Sequence, residues 1–309
     1  YSLSGGLKAV AMTDIVQVVL LIFGGLAVSY IALTKIGNGY IGDGLLEVYQ
    51  QMPEKFDMIL SPDNPSYSNL PGIWILIGAG VWIGHFAYWG FNQYITQRAL
   101  GAKSIKEAQK GVMFAAYLKL LMPLVIVLPG ICAAVLFPVL EKTDQAYPTM
   151  MIELLPNGLL GLTFAALIAA IVSSLASMTN SISTIFTMDI CRSFSRTEIS
   201  QSNLIRIGRT AVVASMMIAL IMAKPILGNS DQIFQYIQNF TGLFTPGILV
   251  IFLVALFWKK ATTLSVLIAA ILSVVMSVFI QATFPEFPYI QNGRSIFCIW
   301  IGLLLNLSL

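Results

Sequence analysis

The stretch that decides the fold runs from Ala165 to Asp189 and reads Ala-Ala-Leu-Ile-Ala-Ala-Ile-Val-Ser-Ser-Leu-Ala-Ser-Met-Thr-Asn-Ser-Ile-Ser-Thr-Ile-Phe-Thr-Met-Asp. It is long and apolar enough to cross a bilayer as one helix. Small and hydroxyl-bearing residues recur along it at spacings of three and four, which places them on one helical face. They are Ala170, Ser173, Ser174, Ser177, Ser181 and Thr184. The stretch therefore predicts a membrane-spanning helix with one small, polar side.

Two interpretations of this polar side remain open. Small residues and hydroxyls are the usual contacts between membrane helices, so the pattern predicts close helix packing. A hard cation instead prefers several oxygen ligands. The hydroxyls of Ser173 and Ser174, with a free carbonyl at Ala170, would supply three. The spacing alone does not choose between packing and ion binding.

The composition restricts the class of protein. Hydrophobic residues make up 57% of the 309 residues and charged residues only 10%, which is typical of an all-α, multi-spanning membrane protein. The three cysteines, Cys132, Cys191 and Cys298, are odd in number and lie in or beside apolar runs. Neither a disulfide framework nor a zinc site is therefore indicated. We also expect the chain to be a fragment, because Tyr1 opens a turn into a helix and Leu309 lies inside an apolar run.

The apolar runs predict about eight spans, separated early by a polar segment over residues 37–70. The runs are residues 10–34, 71–97, 111–135, 159–188, 210–223, 233–258, 264–282 and a last run from residue 295 onward. If successive spans alternate in direction, most basic residues collect on one side: Lys8, Arg98, Lys103, Lys106, Lys110, Arg192, Arg196, Arg206, Arg209, Lys259 and Lys260. The excess of Lys and Arg predicts that this basic side is cytoplasmic.

Polar groups inside the second span indicate a binding site. His85, Tyr88, Trp89 and Asn92 share one helical face, and Gly90 lies among them. This pattern predicts a helix that breaks within the membrane, where transporters hold solutes. An interfacial belt of aromatic residues is the alternative for Tyr88 and Trp89. A buried hydrogen-bonding role is the alternative for His85.

Three other positions carry polar groups that hydrocarbon does not tolerate without a reason. Lys119 in the third span either snorkels to the cytoplasmic surface or donates into a central cavity. Asp14, one turn before Gln17, is either a surface acid or a waypoint for a cation. Gln238 belongs to a row of amides that ends at Pro246. These amides either bond to neighbouring helices or suit a polyhydroxylated ligand, since amides both donate and accept.

Several motifs, in register over nearly the whole chain, resemble the solute:sodium symporter family. They are Tyr88-Trp-Gly-Phe-Asn-Gln-Tyr-Ile, Gln97-Arg98, Ala102-Lys-Ser, Glu107-Ala-Gln-Lys-Gly111, Ala169-Ala-Ile-Val-Ser-Ser-Leu-Ala-Ser-Met, Thr184-Ile-Phe-Thr-Met-Asp189, Phe234-Gln-Tyr-Ile-Gln238 and Leu256-Phe-Trp-Lys-Lys260. Within the family the chain is most similar to bacterial members that carry galactose or glucose.

The resemblance implies a leucine-transporter-like fold of two five-helix inverted repeats. Residues 1–309 would form part of a single transmembrane transporter domain that lacks the first core helices. Residues 10–34 would be the last helix of the first repeat, residues 71–258 the second repeat, and residues 264–309 peripheral helices. Substrate and sodium would lie at the interface between the two repeats.

The resemblance also implies roles for individual residues. The carbonyl of Ala170 and the hydroxyls of Ser173 and Ser174 would bind Na⁺, and Asp14 would lie near its inward route. Tyr88 would close the inner gate over the sugar, supported by Trp89, and Lys119 and Gln238 would hydrogen-bond sugar hydroxyls. His85 departs from the galactose-carrying members, which have Asn three residues before the gate tyrosine, and Ala87 replaces an aromatic residue. The departure bears on the identity of the sugar more than on the presence of a site.

The function that this resemblance implies is sodium-coupled symport of a galactose-like or glucose-like sugar across the cytoplasmic (inner) membrane. Na⁺ would be the coupling ion, the sugar and the lipid bilayer the partners, and no nucleic acid is expected. A transporter-like sensor, a symporter of another polyol or organic solute, and a passive sugar channel are the alternatives. An enzyme is disfavoured, because the chain has one His and no His-Glu-x-x-His pair for a metal.

Overall fold

The computed structural model describes residues 6–57, 59–63, 80–227 and 233–283, and the long elements in these ranges are all helices. In chain order they are α1 (Gly6–Ile36), α2 (Ile41–Gln51), α3 (Gly80–His85), α4 (Gln93–Leu100), α5 (Ile105–Lys119), α6 (Leu128–Leu136), α7 (Ala146–Leu154), α8 (Asn157–Thr184), α9 (Gln201–Leu227), α10 (Ile233–Gly242), α11 (Thr245–Phe257) and α12 (Thr263–Thr283). π-helical turns follow α3 (Phe86–Phe91), precede α6 (Pro123–Val127) and follow α8 (Ile185–Cys191). A last helical turn, Arg192–Phe194, continues from the third of them.

Five of the described segments are helical, long and apolar enough to cross a membrane: Ala11–Ile36, Ile105–Leu136, Asn157–Phe194, Gln201–Ile226 and Thr263–Ile280. α10 and α11 together make a sixth, bent by 42°. These six match the first and the third to seventh predicted spans. The eighth predicted span and the beginning of the second lie outside the described residues.

Three sequence predictions need correction. The fifth span is longer than residues 210–223, because α9 begins at Gln201 and carries its polar first turns as regular helix. The polar segment 37–70 also contains a helix, α2, which the composition did not indicate. α2 packs against α1 so closely that a Cβ on Gly44 would lie 2.0 Å from the carbonyl oxygen of Leu33.

The third span also begins earlier than predicted. Ser104 caps α5 by accepting a hydrogen bond from the Glu107 backbone N–H at 3.3 Å. Ser-x-x-Glu is the capping-box sequence, which satisfies backbone donors at a helix start. The helix therefore starts at Ile105 and not at residue 111.

The chain folds into two compact units: Tyr1–Pro53 with Gln97–Gln232, and Glu54–Thr96 with Ile233–Leu309. In the first unit α1 packs mainly on α8, and buried Val28 and Ala32 belong to its core. In the second unit α11 packs on α12 and on the π-helical turn after α3, with Val250 and Val254 fully buried.

Candidate functional site

The predicted sodium ligands lie in the middle of α8. Ser173 is half-buried, and Ser174 is exposed. α8 is unbroken from Asn157 to Thr184, so the carbonyl of Ala170 accepts the normal helical hydrogen bond. The expectation of a free carbonyl is therefore wrong, and only the second lone pair of this oxygen remains for an ion.

Asp14 of α1 lies directly against this part of α8. The Ser173 hydroxyl donates a hydrogen bond to Asp14 Oδ1. The other carboxylate oxygen, Oδ2, accepts from Arg98 Nη2 at 2.6 Å. The Asp14 side chain is 19% exposed, so the interpretation as a surface acid does not describe it. Both of its oxygens are engaged inside a polar cluster.

Arg98 and Gln97 complete this cluster from α4. Arg98 Nη2 also donates to Ser177 Oγ at 2.7 Å. Gln97 Nε2 donates to the Ser177 carbonyl at 3.1 Å, and Asn180 Nδ2 donates to Gln97 Oε1 at 3.1 Å. We name Asp14, Gln97, Arg98, Ser173, Ser177 and Asn180 the polar clamp. It joins α1 and the end of α4 to one side of α8.

The sequence identified Arg98 only as one of many basic residues and as part of a family motif. Its contact with Asp14 spans 84 residues, and no local spacing predicts such a pair. The available signal was indirect, because an arginine and an acid both lie next to apolar spans that carry hydroxyls. A charge in that setting needs a partner.

A further acceptor lies one turn from Asp14 on α1. Gln17 Oε1 is buried and has no hydrogen-bond partner among the described residues. A buried oxygen without a donor is costly, and such an atom is suited to a cation. The sequence had noted Gln17 only as a neighbour of Asp14.

The second unit presents the predicted solute residues on one face of a π-helical turn. Ile83 and Ala87 are buried against Leu249 of α11, and the Phe91 ring stacks on Phe252 with centroids 4.4 Å apart. These residues recur every four positions, so they form the back of the turn. Their packing leaves His85, Tyr88 and Trp89 exposed on the other side.

Tyr88 is held in place by its aromatic neighbours. Its hydroxyl shares a hydrogen bond with the Tyr94 hydroxyl. Its ring meets Trp89 edge-on at 5.1 Å and Tyr94 edge-on at 6.0 Å between centroids. Trp89 is therefore in contact with Tyr88, and its support of a gate stays a prediction. Tyr94 is a partner that the sequence did not single out.

The predicted break in this helix occurs at Asn92, two residues after Gly90. Asn92 is extended, with φ −82° and ψ 118°. Its carbonyl accepts from the backbone N–H groups of Ile95 and Thr96, which starts α4. Two helical segments therefore meet directly after the exposed Tyr88 and Trp89.

Lys119 is the fifteenth and last residue of α5. At about 1.5 Å per residue it lies roughly 21 Å from Ile105 at the basic end. Lys106 and Lys110 lie between Ile105 and Lys119 on the same helix, so the bilayer surface is closer to Lys119 than Ile105 is, and both snorkelling and donation into a cavity stay open. α5 ends at Lys119, and the π-helical turn Pro123–Val127 follows.

Gln238 lies exposed on α10. The predicted kink follows it, because α10 ends at Gly242 and α11 begins at Thr245 with Pro246 in its first turn. The first unit thus contains Asp14, Lys119 and the serines, and the second contains His85, Tyr88, Trp89 and Gln238. Among the described residues, Asp14 contacts Ser173 in the first unit, and Tyr88 contacts Trp89 in the second.

Comparisons with known proteins identify the family that this chain matches. The profile of the sodium:solute symporter family matches residues 1–264. The sodium/glucose cotransporter of Vibrio parahaemolyticus is 45% identical over 94% of this chain and 56% of its own length. The human sodium/myo-inositol cotransporter 2 is 32% identical over 84% of this chain and 42% of its own length. The chain spans about half the length of these relatives.

A solved structure has the same fold. A Na⁺-coupled sialic acid symporter, in a substrate-bound outward-open state, aligns with a TM-score of 0.78. The alignment covers 99% of this chain and 63% of that one, at 21% identity. This similarity concerns the fold alone, and it confirms the expected all-α, leucine-transporter-like architecture.

Proposed function

Because the chain belongs to the sodium:solute symporter family, we propose that the complete protein carries a polyhydroxylated solute across the cytoplasmic membrane together with Na⁺. The solute is a galactose-like or glucose-like sugar. Two relatives support this class, since one is a sodium/glucose and the other a sodium/myo-inositol cotransporter. Glucose and myo-inositol are both uncharged rings with several hydroxyls.

The observation that carries the sodium half of the proposal is the hydrogen bond from Ser173 to Asp14. A hydroxyl binds a cation through its oxygen, so its proton has to point elsewhere. Asp14 accepts the hydrogen bond from this hydroxyl, which leaves the lone pairs of Ser173 for an ion. Ser174 and the second lone pair of the Ala170 carbonyl add two oxygens on the same helical turn.

The sugar half of the proposal uses the residue roles that the family resemblance implies. In the first unit Lys119 donates to a sugar hydroxyl, and in the second unit Gln238 donates to sugar hydroxyls and accepts from them. Tyr88 covers the sugar ring, with Trp89 beside it, and yields when the site opens inward. His85 contributes a donor or an acceptor at the position that sets sugar preference.

Transport follows by alternating access. Sodium binding favours the outward-open form, sugar then fills the site, and the protein rocks inward. One charge that enters across about 100 mV is worth roughly 2.3 kcal/mol, and a tenfold sodium gradient adds about 1.4 kcal/mol. One ion per cycle would then sustain a several-hundred-fold sugar gradient.

Uptake by the full-length protein in sealed vesicles tests the proposal. We expect labelled galactose, glucose or myo-inositol to accumulate with external Na⁺ and not with K⁺. Ser173→Ala with Ser174→Ala should raise the half-saturating Na⁺ concentration about tenfold or more, since each lost bond to a charge costs about 1.5–3 kcal/mol. Ser215→Ala is the matched control, because the Ser215 hydroxyl donates to the Val212 carbonyl of its own helix.

Three results would reject the proposal. Accumulation that K⁺ supports equally well would remove sodium coupling. An unchanged half-saturating Na⁺ concentration in the double variant would remove the two serines from the ion site. Sodium binding without uptake of any solute in the panel would favour a sensor.

A further inference from the structure

A cavity of about 910 Å³ lies beside the end of α8, its π-helical turn and the first turns of α9. At Gly208 the two helices are in contact, since a Cβ there would lie 2.6 Å from Ser183 Oγ. The connection from Ser195 to Gln201 lines the cavity as well. Nothing in the transport mechanism uses this space.

The cavity carries a net positive lining. Arg192, Arg196 and Arg209 line it, with Glu198 as the one acidic residue among the lining side chains. All three arginines are exposed. In the described part of the chain the ion pairs are Arg98 with Asp14 and Lys110 with Glu107, so neither pair neutralises these guanidinium groups. Arginine binds phosphate through two donors at once.

Two threonine hydroxyls of the cavity present acceptors to a ligand. Thr184 Oγ1 donates to the Asn180 carbonyl at 2.9 Å, and Thr187 Oγ1 donates to the Ser183 carbonyl at 2.8 Å. Their protons are therefore used within α8. The lone pairs that remain can accept hydrogen bonds from the hydroxyls of a ligand.

The same cavity has an apolar wall. Met188 is 42% exposed and Ile205 is 54% exposed, and both line the cavity at the ends of membrane-spanning helices. A small inorganic anion makes no favourable contact with such a wall. A lipid can contact it, because the phosphate and the acyl chains of a lipid lie next to each other at the membrane surface.

We propose that this cavity binds the headgroup of an anionic phospholipid of the phosphatidylglycerol type. The phosphate lies among the three arginines, and the glycerol hydroxyls donate to Thr187 and Glu198. The acyl chains run along Met188 and Ile205 into the bilayer. The site is on the basic side of the protein, where anionic lipids attract Lys and Arg.

Lipid retention by the purified full-length protein tests the proposal. The protein is exchanged into nanodiscs of phosphatidylcholine with a small fraction of phosphatidylglycerol, and the lipid bound per protomer is measured by native mass spectrometry after release. We expect enrichment of phosphatidylglycerol, which the Arg192→Gln, Arg196→Gln, Arg209→Gln triple variant loses by about a hundredfold, or about fivefold for each charge. Arg206→Gln is the matched control, because Arg206 is exposed on the same helix and does not line the cavity. It should lose less lipid than Arg209→Gln made alone, because of these two residues only Arg209 lines the cavity.

Three outcomes would overturn the proposal. Equal loss in Arg206→Gln and Arg209→Gln would show general surface attraction. Full displacement of the lipid by millimolar inorganic phosphate would show a site for a free anion. No enrichment over phosphatidylcholine in the wild type would show that another segment of the protein, or nothing, fills the cavity. The transport assay is independent of all three, so sodium-coupled uptake stands or falls separately.

Discussion

The polar clamp of the first unit and the aromatic face of the second hold their residues in opposite ways. In the clamp, Asp14, Ser173 and Arg98 are fixed by direct hydrogen bonds to one another. On the aromatic face, His85, Tyr88 and Trp89 are exposed, and the residues behind them are packed. The clamp therefore orients its groups through charged hydrogen bonds, whereas the aromatic face relies mainly on packing behind it, with one added bond between Tyr88 and Tyr94.

This difference matches what each region is proposed to bind. A small cation needs oxygens fixed to within fractions of an ångström, and charged hydrogen bonds supply that precision. A sugar is large and has to enter and leave, so its contacts need an open face with a rigid back. Substitutions in the two regions should then affect different kinetic constants.

The largest effect is expected from Asp14→Asn, which breaks the clamp. The asparagine side chain accepts the hydrogen bond from Ser173 less strongly, and the substitution removes a negative charge beside the ion. The half-saturating Na⁺ concentration in uptake assays should rise about 10- to 100-fold, with little change in the KM for sugar at saturating Na⁺. Glu107→Gln is the control, since Glu107 pairs with Lys110 in an exposed position. An equal rise in both variants would contradict a local role for Asp14.

The next effect is expected from Ala87→Phe, which breaks the packing behind the aromatic face. Ala87 is 5% exposed against Leu249, so an aromatic ring there overfills the space and should destabilise the protein by about 1–3 kcal/mol. Thermal unfolding in detergent would measure the loss. Gly90→Ala in the same turn should be near neutral, because its added methyl group meets no atom within 4 Å. A fully stable Ala87→Phe protein would show that the back of the turn is loosely packed.

A smaller effect, of opposite sign to the first, is expected from Arg98→Gln. Removal of the guanidinium leaves the Asp14 charge uncompensated beside Ser173. Sodium should then bind about three- to tenfold more tightly, and the turnover rate should fall because release becomes harder. Lys103→Gln, on the same basic side, controls for general charge. Weaker sodium binding in both Asp14→Asn and Arg98→Gln would show that the pair only holds helices together.

The smallest effect is expected from Tyr94→Phe, which tests whether the aromatic face and the polar clamp act independently. The variant removes the hydroxyl that shares a hydrogen bond with Tyr88. One such bond is worth about 1 kcal/mol, so the KM for sugar should change about fivefold while the half-saturating Na⁺ concentration stays the same. Tyr117→Phe, at an exposed position on α5, is the control. A change in sodium dependence instead would place Tyr94 with the ion.

Much of the site was predictable, and the reason lies in local spacing. The helical face of Ser173 and Ser174, the break after Trp89 and the kink before Pro246 follow from residues close together in the chain. Family membership is confirmed by the match over residues 1–264. The assignment of individual residues to sodium and sugar stays a prediction. So does the division into repeats.

What the sequence missed depended on distant partners. The hydrogen bond that Arg98 donates to Ser177 joins residues 79 positions apart, and Tyr94 was noted only within a motif. The early start of α5 was the exception, because Ser104 and Glu107 signal it locally.

The amino-acid sequence by itself determined that this is a helical membrane protein of a symporter family, with hydroxyls on one helix and aromatic residues at a break in another. Hydropathy and helical spacing are local properties, and they survive without a folded partner. The tertiary structure alone decided which oxygen accepts the hydrogen bond from Ser173, which basic side chain pairs with Asp14, and which side of the π-helical turn stays exposed. Those outcomes depend on which helices pack together, and packing joins residues that the chain keeps far apart.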